Sequence, residues 1–130
     1  MKYLKKYNEN KNIKKEIIEQ TNQIIDDVML PIIDEGFREN EITHSDWDIM
    51  KHYTRPRGSN DIIEIIGEIK DGKMTFYKIG DPKKNEESKE SIIVLFYDSI
   101  YMLHGLSGID IKFSFTNFYD DDIILIYTNI

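Results

Sequence analysis

Ser91-Ile92-Ile93-Val94-Leu95-Phe96-Tyr97-Asp98-Ser99-Ile100-Tyr101-Met102-Leu103-His104-Gly105-Leu106 is the stretch whose conformation decides the fold. Its β-branched opening suits a strand, but the run is far longer than the usual strand of about 5–6 residues. Asn85 or Ser88 offers a cap, Glu86, Glu87 and Glu90 fall in the opening turns, and Gly105 stands at the far end. Those are helix-terminus signals: acids favour the positive end of the macrodipole and glycine favours the stop. The stretch therefore predicts a helix, buried on most sides.

Hairpins flank it. Upstream, Asp61–Ile69 is rich in β-branched residues, Asp71-Gly72 suits a two-residue turn with positive φ, and Met74–Ile79 returns. That register sets Phe76 opposite Gly67 and Ile69 opposite Met74, and it puts Glu64 and Glu68 on the outer face of the sheet. The loop from Gly80 to Ser88 breaks the pattern. Downstream, Ile109, Ile111, Phe113 and Phe115 alternate with polar residues, Tyr119-Asp120-Asp121-Asp122 turns the chain, and Ile123–Tyr127 returns.

Nearer the start, Ile13, Ile17, Ile18, Ile24, Ile25, Val28 and Met29 recur at three- and four-residue spacings. They predict an amphipathic helix from about residue 11 to Leu30. Pro31 removes a helical hydrogen bond and clashes one turn back, so a kinked or separate final turn to Glu35 is expected, stopped by Gly36. Residues 43–53 alternate as a strand with Trp47, Ile49 and Tyr53 on one face. A helix capped by Ser45, with Asp48 at the third position, is the competing reading. Arg55-Pro56-Arg57-Gly58-Ser59-Asn60 reads as a loop. The sum is an α+β domain over 11–130, with two helices packed on a mainly antiparallel sheet in the order α-β-β-β-α-β-β and a basic arm over 1–10.

The 130 residues fit one domain, and 40% hydrophobic with 32% charged residues is a globular balance. Absence of cysteine excludes disulfide frameworks, thiolate catalysis and zinc ribbons. No apolar run reaches the ~18 residues of a membrane span, so a soluble, cytoplasmic protein without membrane contact is expected. Lys2, Lys5, Lys6, Lys11, Lys14 and Lys15 against Glu9 give the first fifteen residues a net +5. With −7 overall, the other 115 residues hold −12. So acidic a body repels a phosphate backbone, which argues against direct nucleic-acid binding.

Few residues suggest chemistry. His44, Asp46, Asp48 and His52 have metal-ligand side chains, but on a strand His44 and His52 lie about 26 Å apart and cannot share an ion. On a helix, Asp48 and His52 become simple i,i+4 neighbours. Asp120-Asp121-Asp122 lacks the ligand spacing of a calcium loop and reads as a charged turn. His104 ends an apolar run and reads as a capping or core histidine. No GxSxG elbow and no phosphate-binding glycine loop is present, so no catalytic residue, metal or cofactor is expected. Arg55 and Arg57 form the one concentrated cationic loop in the acidic body. With Lys5 and Lys6 they are the candidate partner contacts, while pairing with the domain's own carboxylates is the plainer role of the arginines. Asp46, Asp48, Asp120, Asp121 and Asp122 are the candidate acidic surface.

The opening Met1-Lys2-Tyr3-Leu4-Lys5-Lys6-Tyr7-Asn8-Glu9 resembles the start of short proteins of large AT-rich tailed bacteriophages, and the absence of alanine agrees. The segment Ile25–Phe37 is similar to a helix-then-DEGF pattern in such proteins. The resemblance implies a virion-associated or host-directed accessory origin and brings no catalytic residues. Three functional expectations follow. The first is a non-enzymatic protein–protein interaction protein that binds a partner or itself through an edge strand, the basic arm or the Arg55/Arg57 loop. The second is an acidic inhibitor mimicking nucleic acid, which needs Asp46, Asp48, Glu64, Glu68 and Asp120–Asp122 on one face. The third is a small metal-dependent enzyme using the His44–His52 region, which needs a histidine and two carboxylates converging in a pocket.

Overall fold

The computed structural model describes residues 2–57, 63–79 and 86–130, with side chains over 13–57, 63–77 and 92–130. The elements are α1 (Lys2–Val28), α2 (Leu30–Asp34), β1 (Arg38–Asn40), β2 (Ile49–Pro56), β3 (Glu64–Lys70), β4 (Lys73–Ile79), α3 (Glu86–Ser107), β5 (Ile111–Phe118) and β6 (Asp121–Thr128). All strand pairs are antiparallel, in one six-stranded sheet of order β1-β2-β6-β5-β3-β4. The long helices α1 and α3 lie together on one face. The expected α+β class and the helical state of 91–106 both hold. The short α2 is the separate final turn expected around Pro31, and β1 is an addition to the expected order.

Alternation decides which face of the sheet is core. Ile65, Ile69, Ile111, Phe113, Phe115, Ile124, Ile126, Ile49 and Tyr53 point toward the helices and are buried. Phe96 of α3 is fully buried and meets Phe113 (5.6 Å) and Phe115 (5.5 Å) edge-on. Phe37 meets Phe115 in the same manner at 5.9 Å. Burying each such ring contributes roughly 1.5–3 kcal/mol, and edge-to-face geometry adds to it.

Local details explain the joins. Pro31 falls at the first turn of α2, where its missing N–H costs nothing. The Ile32 N–H then bonds the Met29 carbonyl instead of that of Val28. The freed Val28 carbonyl accepts from the buried Ser99 hydroxyl at 2.9 Å, which fastens α1 to α3. Gly36 ends the unit with φ +98°. In the β3–β4 hairpin Asp71 and Gly72 have φ of 51° and 77°, and the register is the expected one, Gly67 opposite Phe76 and Ile69 opposite Met74. A bulge between Ile66 and Gly67 interrupts it. A Cβ on Gly67 would lie 2.5 Å from the Thr75 carbonyl oxygen and 3.0 Å from the Phe113 ring, so backbone and ring close on this glycine from two sides. His104 donates from Nδ1 to the Ile109 carbonyl (2.8 Å) and accepts the Gly72 N–H at Nε2 (2.9 Å). Both ring nitrogens are thus spent on tying the end of α3 to two loops.

Four expectations are corrected. The first helix starts at Lys2 and not at about residue 11, so the basic segment is helical. The strand expected from Thr43 begins only at Ile49, and Trp47 ahead of it turns to the outer face, against Tyr127 (4.9 Å). Arg55 belongs to β2 and not to a loop, since Pro56 ends the strand where its missing N–H is tolerated. The last turn is the two residues Tyr119 and Asp120, so Asp121 and Asp122 are strand residues facing Phe118 and Asn117. Among the described residues, no helix is long and apolar enough to cross a membrane.

Candidate interaction surface

The cationic loop dissolves into the fold's own contacts. Register places Arg55 opposite Asp122, both on the helix-facing side. The Arg55 Nε bonds Asp122 Oδ2 at 3.0 Å, its Nη1 donates to the Glu35 carbonyl at 2.9 Å, and the guanidinium sits 4.6 Å from the Phe37 ring centre. Asn117 donates to the other Asp122 oxygen and accepts the Ile63 N–H. This is a closed polar knot that joins α2, β2, β5 and β6. Arg57 is held by its backbone, N–H to the Asp120 carbonyl at 2.6 Å. Gly58, Ser59 and Asn60 lie outside the described residues, as do the side chains of Lys5 and Lys6.

The acidic residues do not assemble into one face. Asp122 is only 4% exposed and faces the helices. Asp120 and Asp121 lie at the hairpin tip, and Asp46 in the loop before β2. Asp48 accepts the Ile130 N–H at 2.8 Å and pairs with Lys14 at 3.4 Å, which together hold its carboxyl below the ordinary aspartate range. Glu64 and Glu68 are on the outer sheet face, as expected, but Glu68 lies opposite Lys112 and accepts the Tyr77 hydroxyl. Histidine placement is equally dispersed: His44 is in a loop, His52 lies on the outer face opposite Leu125, and His104 is engaged. Among the described residues no three His, Asp or Glu side chains converge as metal ligands. A depression of about 360 Å³ on the outer face is lined by Trp47, Glu68, Lys70, Asp110, Lys112, Thr128 and Asn129. It has two carboxylates and no histidine, and Lys112 is already placed over the Trp47 ring at 5.0 Å. Its one hydroxyl, that of Thr128, donates to the Asp110 carbonyl at 2.6 Å.

Sheet edges are guarded rather than offered. β1 has three residues, and β4 carries lysines and the bulge, devices that discourage a further strand.

What the structure does present is the outward face of α3. Val94, Tyr101, Met102 and Leu106 are 52%, 48%, 55% and 64% exposed. The opposite face buries Ile92, Phe96, Ile100 and Leu103. Between Ile92 and Ser107 the helix has one carboxylate, Asp98, and no lysine or arginine. A surface helix of a two-layer domain ordinarily puts charge on its solvent side. Leu30 and Ile33 of α2, which packs on α3, are exposed as well. The expectation that 91–106 is buried on most sides holds for Ile92, Phe96, Ile100 and Leu103, with Ile93, Leu95 and Tyr97 packed partly buried beside them, and fails along this one outward stripe. The sequence signal was an apolar helix all round in a chain too short to supply a third layer. A smaller aromatic feature, Phe118 stacked edge-on with Tyr119 at 4.5 Å, is exposed at the β5–β6 tip. Comparison of the chain with protein-family models, with curated proteins and with solved structures finds no match.

Proposed function

We propose that the chain is a non-enzymatic protein–protein interaction protein that docks through the outward face of α3. The observation that carries this reading is the half-exposed set Val94, Tyr101, Met102 and Leu106 on the part of α3 from Ile92 to Ser107, which holds one carboxylate and no lysine or arginine. Contiguous apolar surface of this kind costs free energy in water, and it marks interaction sites when it is retained. Among the described residues the histidines and carboxylates are dispersed, and Arg55, Asp122 and His104 are engaged within the fold, which favours this reading over catalysis or phosphate mimicry. The resemblance of the opening residues adds a virion-associated or host-directed accessory setting to the proposal.

A photo-crosslinking residue placed at Met102, and separately at exposed Thr75 on the outer sheet face, tests it. The proposal expects a discrete adduct from position 102 in native extract or in the purified protein, and none from position 75. Equal labelling from both positions, or no discrete adduct from 102, overturns it.

A further inference from the structure

We infer that the occupant of the α3 face is a second copy of this chain, packed antiparallel about a two-fold axis that crosses α3 between Ser99 and Ile100. The inference rests on reading that face as the docking surface, and it adds the partner and the register.

Three observations lead to it. Val94, Asp98, Tyr101 and Gly105 are spaced four, three and four residues apart, the spacing of one straight stripe along a helix. All four are exposed, and Met102 and Leu106 flank the stripe on one side. Second, Gly105 has no reason to be glycine within one copy. It lies inside α3, its φ is not left-handed, and an added Cβ would meet nothing within 4 Å. Glycine there weakens the helix relative to alanine and leaves a notch in its surface. Third, Asp98 and Tyr101 make no hydrogen bond or ion pair among the described residues, and they are an acceptor and a donor one helical turn apart on the stripe.

An antiparallel two-fold satisfies these features together. Centred between Ser99 and Ile100, it sets Val94 against Gly105 of the second copy and Asp98 against Tyr101 of the second copy, each twice. The branched side chain enters the notch, and each carboxylate meets a phenolic hydroxyl instead of the other carboxylate. An isologous contact requires such self-complementarity. A partner of strongly basic character is less well matched, since the face offers it one carboxylate. Four side chains about half exposed present on the order of 400 Å² per copy, so about 800 Å² in a pair, below the ~1,200 Å² of stable standard interfaces. The dimer is therefore weak and dissociates on dilution. Because each copy carries −7, salt that screens the mutual repulsion strengthens it.

Sedimentation equilibrium of the full chain over a concentration series, at low and moderate salt, is the test. A monomer–dimer equilibrium that tightens with salt is expected. Val94→Lys with Met102→Lys is expected to sediment as monomer throughout while its circular dichroism and melting temperature stay native. Gly105→Ala separates helix from interface: it is expected to raise the melting temperature and yet weaken association about tenfold, the lower part of what overpacking by one methyl costs. A dimer that survives the double lysine variant, or is unaffected by Gly105→Ala, overturns the inferred geometry. A wild-type chain that stays monomeric overturns the second copy as occupant. In that event an adduct of position 102 with a different protein would keep the docking face, and the absence of any adduct would remove both.

Discussion

Asp122→Ala gives the sharpest test of the knot that fixes α2 to the sheet. The Asp122 side chain is 6% exposed and accepts from Arg55 Nε and from Asn117 Nδ2, while the Arg55 side chain is 21% exposed. Removing the carboxylate leaves a largely desolvated guanidinium without its counter-charge and a part-buried amide without its acceptor. Breaking a buried pair from one side costs about 3–5 kcal/mol. Arg55 keeps its bond to the Glu35 carbonyl, its place over Phe37 and some access to water, so the lower end, about 3 kcal/mol, is expected. For a chain of this length that lowers the melting temperature by roughly 10 °C. Arg55→Met combined with Asp122→Leu is expected to recover at least about 1 kcal/mol of the loss, because no lone charge is then buried. Urea unfolding followed by circular dichroism measures both, with the midpoint moving at constant slope. A loss below about 1 kcal/mol for Asp122→Ala would refute the knot and return Arg55 to the pool of free partner contacts.

Gly67→Ala is expected to cost about 1–3 kcal/mol, since its methyl would meet the Thr75 carbonyl oxygen at 2.5 Å and backbone cannot swing aside; urea denaturation reads it, and an unchanged midpoint contradicts the close approach. Tyr53 is buried with no hydrogen bond to its hydroxyl, and burial, followed by the charges of Glu39 and Asp26, pushes its ionisation well above the ordinary tyrosine value of 10.0. A group raised in the folded state stabilises below its unfolded value and loses that contribution as pH rises past it. Tyr53→Phe should accordingly be neutral or stabilising at pH 7 and should delay the alkaline loss of stability above pH 10; a destabilised variant at neutral pH would show a missed partner for the hydroxyl. Asp48 is held below its ordinary 3.8 by the Ile130 N–H and, less strongly, by Lys14, so its contribution exists above that value and disappears as pH falls through the folded one. Wild type should exceed Asp48→Asn in stability near neutrality, with the gap closing below about pH 3.8; a gap that persists in acid contradicts this linkage.

Local chemistry made part of the fold legible. Asp71-Gly72 takes positive φ at both positions, which fixes the β3–β4 register, and Pro31 with Gly36 marks the separate turn α2. Capping acids and sheer length identified α3 as a helix. Non-local pairing hid the rest. Nothing in Arg55-Pro56-Arg57 announces a strand until β2 is seen beside β6, and only that register brings Arg55 to Asp122. Tyr119 has φ 54°, an uncommon state for a bulky residue, so a turn centred there could not be read from residue preference, and the aspartates were shifted out of the strand. The exposure of Val94, Tyr101, Met102 and Leu106 is a matter of layer count: the same apolar helix would be buried in a three-layer protein. Residue preference makes Gly105 a helix stop, although α3 continues through it to Ser107.

The central claim is that α3 meets another molecule through its outward stripe, and that this molecule is a second copy. Amide chemical shifts of the isotope-labelled chain across a dilution series test it most directly. The account predicts that Val94, Asp98, Tyr101 and Gly105 shift together with concentration while β1 and the outer-face residues of β2 do not. Shifts that stay constant along α3, or that move instead on β1, β4 or the β5–β6 tip, would contradict it.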